Sequence, residues 1–147
     1  MDWAPSYSPI INCNWFKMPH VLFVEPDKVL ANTFCRAAIS SGYTATSCAT
    51  AQEALICADE VAPDVVVLEL QLVVHSGIEF LYEFHSYSDW QNVPVIINSY
   101  VPASEFVTSW ELLKNGLKVC AYYYKPHTNL SELFRGIGEA TAPKLLI

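Results

Sequence analysis

The chain has 147 residues, 52% of them hydrophobic, 13% aromatic and 16% charged, which is enough apolar material for one well-cored domain, too little chain for two, and the wrong composition for disorder. Fifteen Asp and Glu against eight Lys and Arg give a formal net charge of −7, which disfavours nonspecific binding to nucleic acid or anionic lipid and points to a protein partner. No apolar run approaches the roughly 18 residues that span a bilayer, so a soluble globular protein is expected, with neither a nucleic-acid nor a membrane partner.

Residues 1–19 read as an N-terminal extension. They hold Trp3, Trp15, Phe16 and three prolines, but no basic leader followed by a long apolar stretch, so no secretion signal is visible. A disordered tail, an aromatic arm docked on the domain, and a start placed too far upstream of Met18 all fit this composition. Cys13, Cys35, Cys48, Cys57 and Cys120 stand singly, without C-x-x-C spacing, and the odd count fits a closed disulfide framework poorly. They read as small core residues in a reducing cytosol.

The first strand-like run, at about 20–25, carries VLFV and ends on Glu25. Pro26 then suits the first turn of a helix, where proline costs no hydrogen bond. A helical pattern follows at about 27–41, with Val29, Leu30, Phe34, Ala37 and Ala38 on one face and Gly42 as a natural stop. The run at 43–48 leads into a helix at 51–61 opened by Thr50-x-x-Glu53, a capping-box spacing.

The third run, at 64–70, reads VVVLEL and ends on Glu69. Continuous rather than alternating apolarity marks a central parallel strand covered on both faces. Val73, Val74 and His75 form a loop that either tucks inward or makes an apolar patch. Ile78, Phe80, Leu81 and Phe84 give the helix at 78–87 a strongly apolar face.

The fourth run, at 93–99, ends on Asn98-Ser99. A helical pattern at 104–114 follows, with Phe106, Val107, Trp110 and Leu113 on one face and Gly116 behind it. The last run, at 118–124, carries AYYY and ends on Lys125-Pro126; its helix at 130–140 opens with Asn129-x-x-Glu132, a looser capping box. Residues 142–147 form a C-terminal tail.

Five alternations of strand and helix predict an α/β fold, a doubly wound parallel sheet with right-handed crossovers, over residues 20–141. In such a sheet chemistry collects outside the carboxyl ends of the strands. Two carboxylates, a hydroxyl and an ammonium are thereby expected at one edge: Glu25, Glu69, Ser99 and Lys125.

The stretches VLFVEPD, PDVVVLELQLVVHSG, VPVIINS and YYYKP, in order and with fitting spacing, resemble the response regulator receiver domain across about residues 20–140. The resemblance implies a flavodoxin-like sheet of order 2-1-3-4-5, and a strand-end aspartate that takes a phosphoryl group from a histidine kinase. It also implies an acidic Mg²⁺ pocket, a hydroxyl residue at Ser99, a switch aromatic at Tyr122, and a lysine at Lys125 joined to Pro126 by a cis peptide, where the sequence alone also allows a trans turn before the last helix. Gly77 matches as well. The chain departs from the family at decisive places: Glu69 stands for the phosphoacceptor, Pro26 for the second acid beside Glu25, and Val73-Val74 for the usual Pro-Gly.

These departures change the chemistry. Phosphoryl transfer needs in-line positioning and charge neutralisation, and Mg²⁺ supplies much of the latter. The ion demands near-ideal octahedral oxygen geometry, so losing the ligand at Pro26 weakens the site to weak Mg²⁺ binding at most. Glu69 moves the acceptor oxygens by one methylene, roughly 1.5 Å. Glu69 either reaches Lys125 as a permanent negative charge, locking one signalling conformation, or forms an ion pair at a relic site. Ser99 either meets a phosphoryl group or satisfies nearby backbone. Tyr100 is large enough to cover the pocket.

His20, His75, His85 and His127 show no metal-ligand spacing and read as surface or cap residues. The resemblance places a partner or dimer face on the fourth helix, fifth strand and fifth helix, with Trp110, Tyr122, Tyr123 and Tyr124 as candidates. At least one of those tyrosines is expected to be buried, since alternate strand residues fill the core. The leading expectation is a pseudo-receiver: non-enzymatic, cytoplasmic, without a cofactor, recognising a histidine kinase or a downstream signalling protein. A phosphorylation-competent receiver with a weak metal is the first rival. A flavodoxin-like cofactor binder is the second, weakened by the absence of a phosphate-cradling glycine loop in EPDKVLA.

Overall fold

The run HVLFV forms β1 (His20–Val24), buried at every position, as an apolar strand flanked by helices on both faces must be. β2 (Thr44–Cys48), β3 (Val65–Leu68), β4 (Val95–Ser99) and β5 (Val119–Tyr124) join it in one parallel sheet of order β2-β1-β3-β4-β5. This is a computed structural model that describes residues 18–143; the N-terminal extension before Met18 and tail residues 144–147 lie outside the described residues, as does Cys13.

Between the strands run α1 (Lys28–Ser40), α2 (Ala51–Glu60) and α3 (Gly77–Ser86), and α4 (Leu130–Thr141) follows β5. Their starts are chemically marked. The Asp27 carboxylate accepts the Val29 and Leu30 N–H groups, and Asn129 with Glu132 completes a reciprocal capping box. At α2 the Thr50 hydroxyl accepts the Glu53 N–H as expected, while the Glu53 side chain reaches the N–H of Ala49. A second full box, Ser76 with Glu79, escaped the sequence reading although its S-x-x-E spacing is present. Gly42 ends the first helix at φ 92°, a backbone only glycine adopts freely.

Alternate residues of the same strands feed two cores. Leu22, Val24, Val66, Leu68 and Ile97 pack under α2 and α3 with Phe80, Phe84 and Trp90, where Phe84 and Trp90 stack with centroids 5.1 Å apart. Val21, Phe23, Val65, Val67 and Ile96 pack on the opposite face with Phe34, Leu133 and Ile137. Burying each of these large side chains stabilises the fold by about 1.5–3 kcal/mol.

The fourth crossover departs from expectation. In place of one helix over 104–114, a 3-10 segment (Ala103–Ser109) leads through Trp110 into a π turn (Leu112–Gly116). Phe106 has a non-helical backbone, φ −116° and ψ 17°. Val107, Thr108 and Ser109 are poor helix formers, and of the expected apolar face only Leu113 is buried, with Val107 and Trp110 exposed. Too little surface is covered here to enforce regular α geometry.

Other expectations are corrected by burial. Cys48 is buried and Cys35 and Cys57 are half-buried, but Cys120 is exposed, next to a register shift between Val95 and Ile96. His20 is not a surface residue: it is buried in β1, its ring bonded to the Thr44 and Thr46 hydroxyls at 2.6 and 2.8 Å. His85 is half-buried, with Nε2 3.0 Å from the Val93 carbonyl oxygen and a buried, unpartnered Nδ1. Tyr122, Tyr123 and Tyr124 are all half-buried. No helix among the described residues is long and apolar enough to cross a membrane.

Candidate functional site

β1, β3, β4 and β5 deliver their terminal side chains to one edge because all are parallel and neighbours in the sheet. The ladder continues one residue past two strands: the Glu25 N–H donates to the Cys48 carbonyl at 2.9 Å and the Glu69 N–H to Val24 at 3.0 Å. Both carboxylates are thereby carried inward, at 5% and 3% exposure. Lys125 starts a short 3-10 turn (Lys125–His127) directly after β5, so its side chain, 8% exposed, enters the same space.

The Lys125 ammonium donates to Glu25 Oε1 and to Glu69 Oε1, each at 2.7 Å, and lies 4.6 Å from the centroid of the Tyr100 ring. Glu69 Oε1 also accepts the Tyr100 N–H at 3.3 Å. Its Oε2 accepts the Ser99 hydroxyl and the Gln71 N–H, the latter at 3.0 Å. A carboxylate offers about four lone-pair sites, and Glu69 has four donors. Glu25 Oε2 accepts the Asp27 N–H at 3.0 Å, and Ser99 Oγ accepts the Val101 N–H at 3.0 Å.

Burial alone would raise the Glu69 carboxyl, but Lys125, Ser99 and the Gln71 N–H together hold it below the usual carboxylate range. Burial alone would likewise lower Lys125, and its bonds to Glu25 and Glu69 push it above the usual lysine range. Glu69 and Lys125 are therefore held as a charged pair at neutral pH, with the Glu25 carboxyl as the second acceptor of the same ammonium. The charges hold each other in place because the desolvation cost of either one alone is severe.

Magnesium does not fit these residues. Pro26 offers no side-chain oxygen, the Asp27 carboxylate caps α1, and Glu25 and Glu69 both hold Lys125. Among the described residues no three His, Cys, Asp or Glu side chains gather as a metal site. The geometry also differs from that implied for Lys125-Pro126, whose peptide is trans, with Pro126 exposed at the turn.

The remaining candidates divide. Tyr122 stands beside the site without entering it: its hydroxyl donates to the Val101 carbonyl at 2.6 Å and its ring meets Phe106. Burial, then Glu69 and Glu105, push that hydroxyl up to about 12, so it stays a donor and ties the fourth crossover to β5. Asn98, 4% exposed, lines a cavity of about 230 Å³ with Leu30, Phe34 and Lys125. Tyr100 is 52% exposed and supports Lys125 as much as it covers it. Val73 and Val74, each 78% exposed, do not tuck inward. Tyr123 lies over Gly136, and Tyr124 meets His127 edge-on.

Sequence reasoning missed the two backbone donors to Glu69, from Gln71 and Tyr100. Backbone N–H groups carry no residue-type signal. Gly77 was noted only as a match. A side chain there would meet the Leu70 backbone at 2.8 Å, so it is the close approach that lets α3 start against the Glu69 loop.

No family model matches the sequence, and no curated protein is similar to it in sequence. Solved structures share its fold. A CheY-like response regulator receiver domain protein from Methanospirillum hungatei is 21% identical with a TM-score of 0.74, over 85% of this chain and 94% of that one. The non-phosphorylated receiver domain of HemR from Leptospira biflexa is 22% identical with a TM-score of 0.73, over 88% and 98%. The receiver domain of the Francisella response regulator 1452 is 26% identical with a TM-score of 0.71, over 84% and 96%. The chain has the flavodoxin-like fold of these receiver domains, in the expected strand order.

Proposed function

We propose that this protein is a pseudo-receiver: a cytoplasmic signalling module, not an enzyme and without a cofactor, that recognises a protein partner independently of phosphorylation. The observation that carries this reading is the saturation of Glu69. Its oxygens already accept from Lys125, Tyr100, Ser99 and Gln71, whereas a phosphoacceptor must present a free lone pair in line with the donor phosphorus. Lys125 is spent bridging Glu69 to Glu25, and Pro26 stands where a further acid would help hold a metal. A histidine kinase or a downstream signalling protein is the partner class, and a homodimer through the fourth crossover, β5 and α4 is compatible with the exposed Trp110 and the half-buried tyrosines there.

An amide NMR titration with Mg²⁺ followed by beryllofluoride tests this directly. The expected result is no response at Glu25, Glu69, Ser99 and Lys125. Saturable, Mg²⁺-dependent shifts at those four residues would replace this reading with that of a phosphorylation-competent receiver.

A further inference from the structure

We propose that the groove between α2 and α3 docks a basic amphipathic helix of a partner protein. Its floor is apolar: Leu55 and Ile56 of α2 face Phe80 of α3, and the groove continues past Ile56 to Tyr87 and Trp90. Two cavities, of about 650 and 360 Å³, share Leu55 and Ile56 and so lie side by side along α2. Ile56 is 61% exposed and Tyr87 48%, leaving apolar surface that no element of the described fold covers.

The rim is acidic along its length. Glu79 and Glu83 stand on the α3 side, Asp59 near the end of α2, and Asp89 beyond α3. Among the described residues that line it there is no Lys or Arg, and the His75 ring lies 4.0 Å from Glu79. The sequence accounts for this: between Arg36 and Lys114 it contains ten Asp and Glu and no Lys or Arg. Both walls come from that stretch, so neither supplies a cation and the occupant must bring its own.

Charge selects among occupants. A second copy of the chain pairing through this same face would set one acidic rim against another and be repelled. Residues 1–17 hold one lysine, Lys17, and one acid, Asp2, and cannot neutralise the rim. A helix with apolar side chains at i, i+3, i+4 and i+7 and Lys or Arg on its flanks matches both the floor and the rim, which is the helix-in-groove mode of recognition. Ten-residue walls are about 15 Å long and accommodate roughly three turns of guest helix. The inference rests on the proposed role in protein recognition, but not on Glu69.

The test is a titration of the ¹⁵N-labelled full chain with a Leu/Lys amphipathic helical peptide, alongside a scrambled peptide of the same composition. Expected are saturable shifts at Ile56, Glu83 and Tyr87 with the amphipathic peptide and at least about tenfold weaker binding of the scrambled one. Neutralising the exposed rim in D59N/E83Q/D89N, or replacing the exposed floor residue in I56S, should each weaken binding by about tenfold. Removing the same charge elsewhere in E105Q/E111Q/E139Q should leave it unchanged. Equal binding of the scrambled peptide, equal losses in the two triple variants, shifts confined to other faces, or no binding at all would overturn the proposal. So would nuclear Overhauser contacts from Trp3 or Trp15 to Ile56, or a dimer in sedimentation that buries this face, since either would give the groove another occupant. The beryllofluoride titration reads Glu25, Glu69, Ser99 and Lys125, so failure there and failure here are seen on different signals.

Discussion

Replacing Lys125 with methionine would leave Glu25 and Glu69 buried with no cation between them. Removing one partner of a buried ion pair costs about 3–5 kcal/mol, so K125M should lose stability of that order in urea unfolding at pH 7. Part of the loss should return in mild acid, where one carboxylate can take a proton. In the native protein the pH dependence has three windows. Glu69 is lowered by folding, so its contribution is present above 4.5 and lost as pH falls through its folded value. Lys125 is raised, so its contribution is present below 10.5 and lost as pH rises through its folded value. His20 and His85 are both lowered by burial from 6.5, so the unfolded chain gains protons first and stability should begin to fall already below pH 6.5. Unfolding free energies measured at pH 7.5, 6 and 5 should decline in that order; a flat profile over this range would contradict neutral, buried imidazoles.

At the scale of elements, the fourth crossover is the weak segment. A 3-10 stretch followed by a π turn has poorer hydrogen-bond geometry than α-helix, and Leu113 is its one buried side chain among residues 103–116. Amides in 103–116 should therefore exchange with deuterium well before those of β1 and β3, which are buried throughout; equal protection would mean that Tyr122 and Phe106 hold the segment more firmly than its burial indicates. The same contrast explains what the sequence made legible. α1, α3 and the central strands were readable because helical spacing in the first two and continuous apolarity in the strands are unambiguous there. The fourth crossover was not, since its apolar spacing is helical while Val107 and Trp110 have nothing to bury against. Of the site, Glu25, Glu69, Ser99 and Lys125 were legible from strand-end position. The backbone donors from Gln71 and Tyr100 and the His20 bridge to Thr44 and Thr46 depend on distances between strands that no residue pattern encodes.

At the scale of the molecule, two cores share one set of strands, so each strand residue on one face has neighbours on its own strand facing the other core, and loss of either layer exposes the same backbone. Lys125 adds a constraint in time. Its partners lie 100 and 56 residues earlier in the chain, on strands made long before β5. While the chain emerges in order, Glu25 and Glu69 have no counter-charge to accompany them inward, and the edge they share stays open to water. The arrival of one lysine makes burial of both acids favourable together, so the edge shared by the first and third strands gains its full stability from the last strand of the chain.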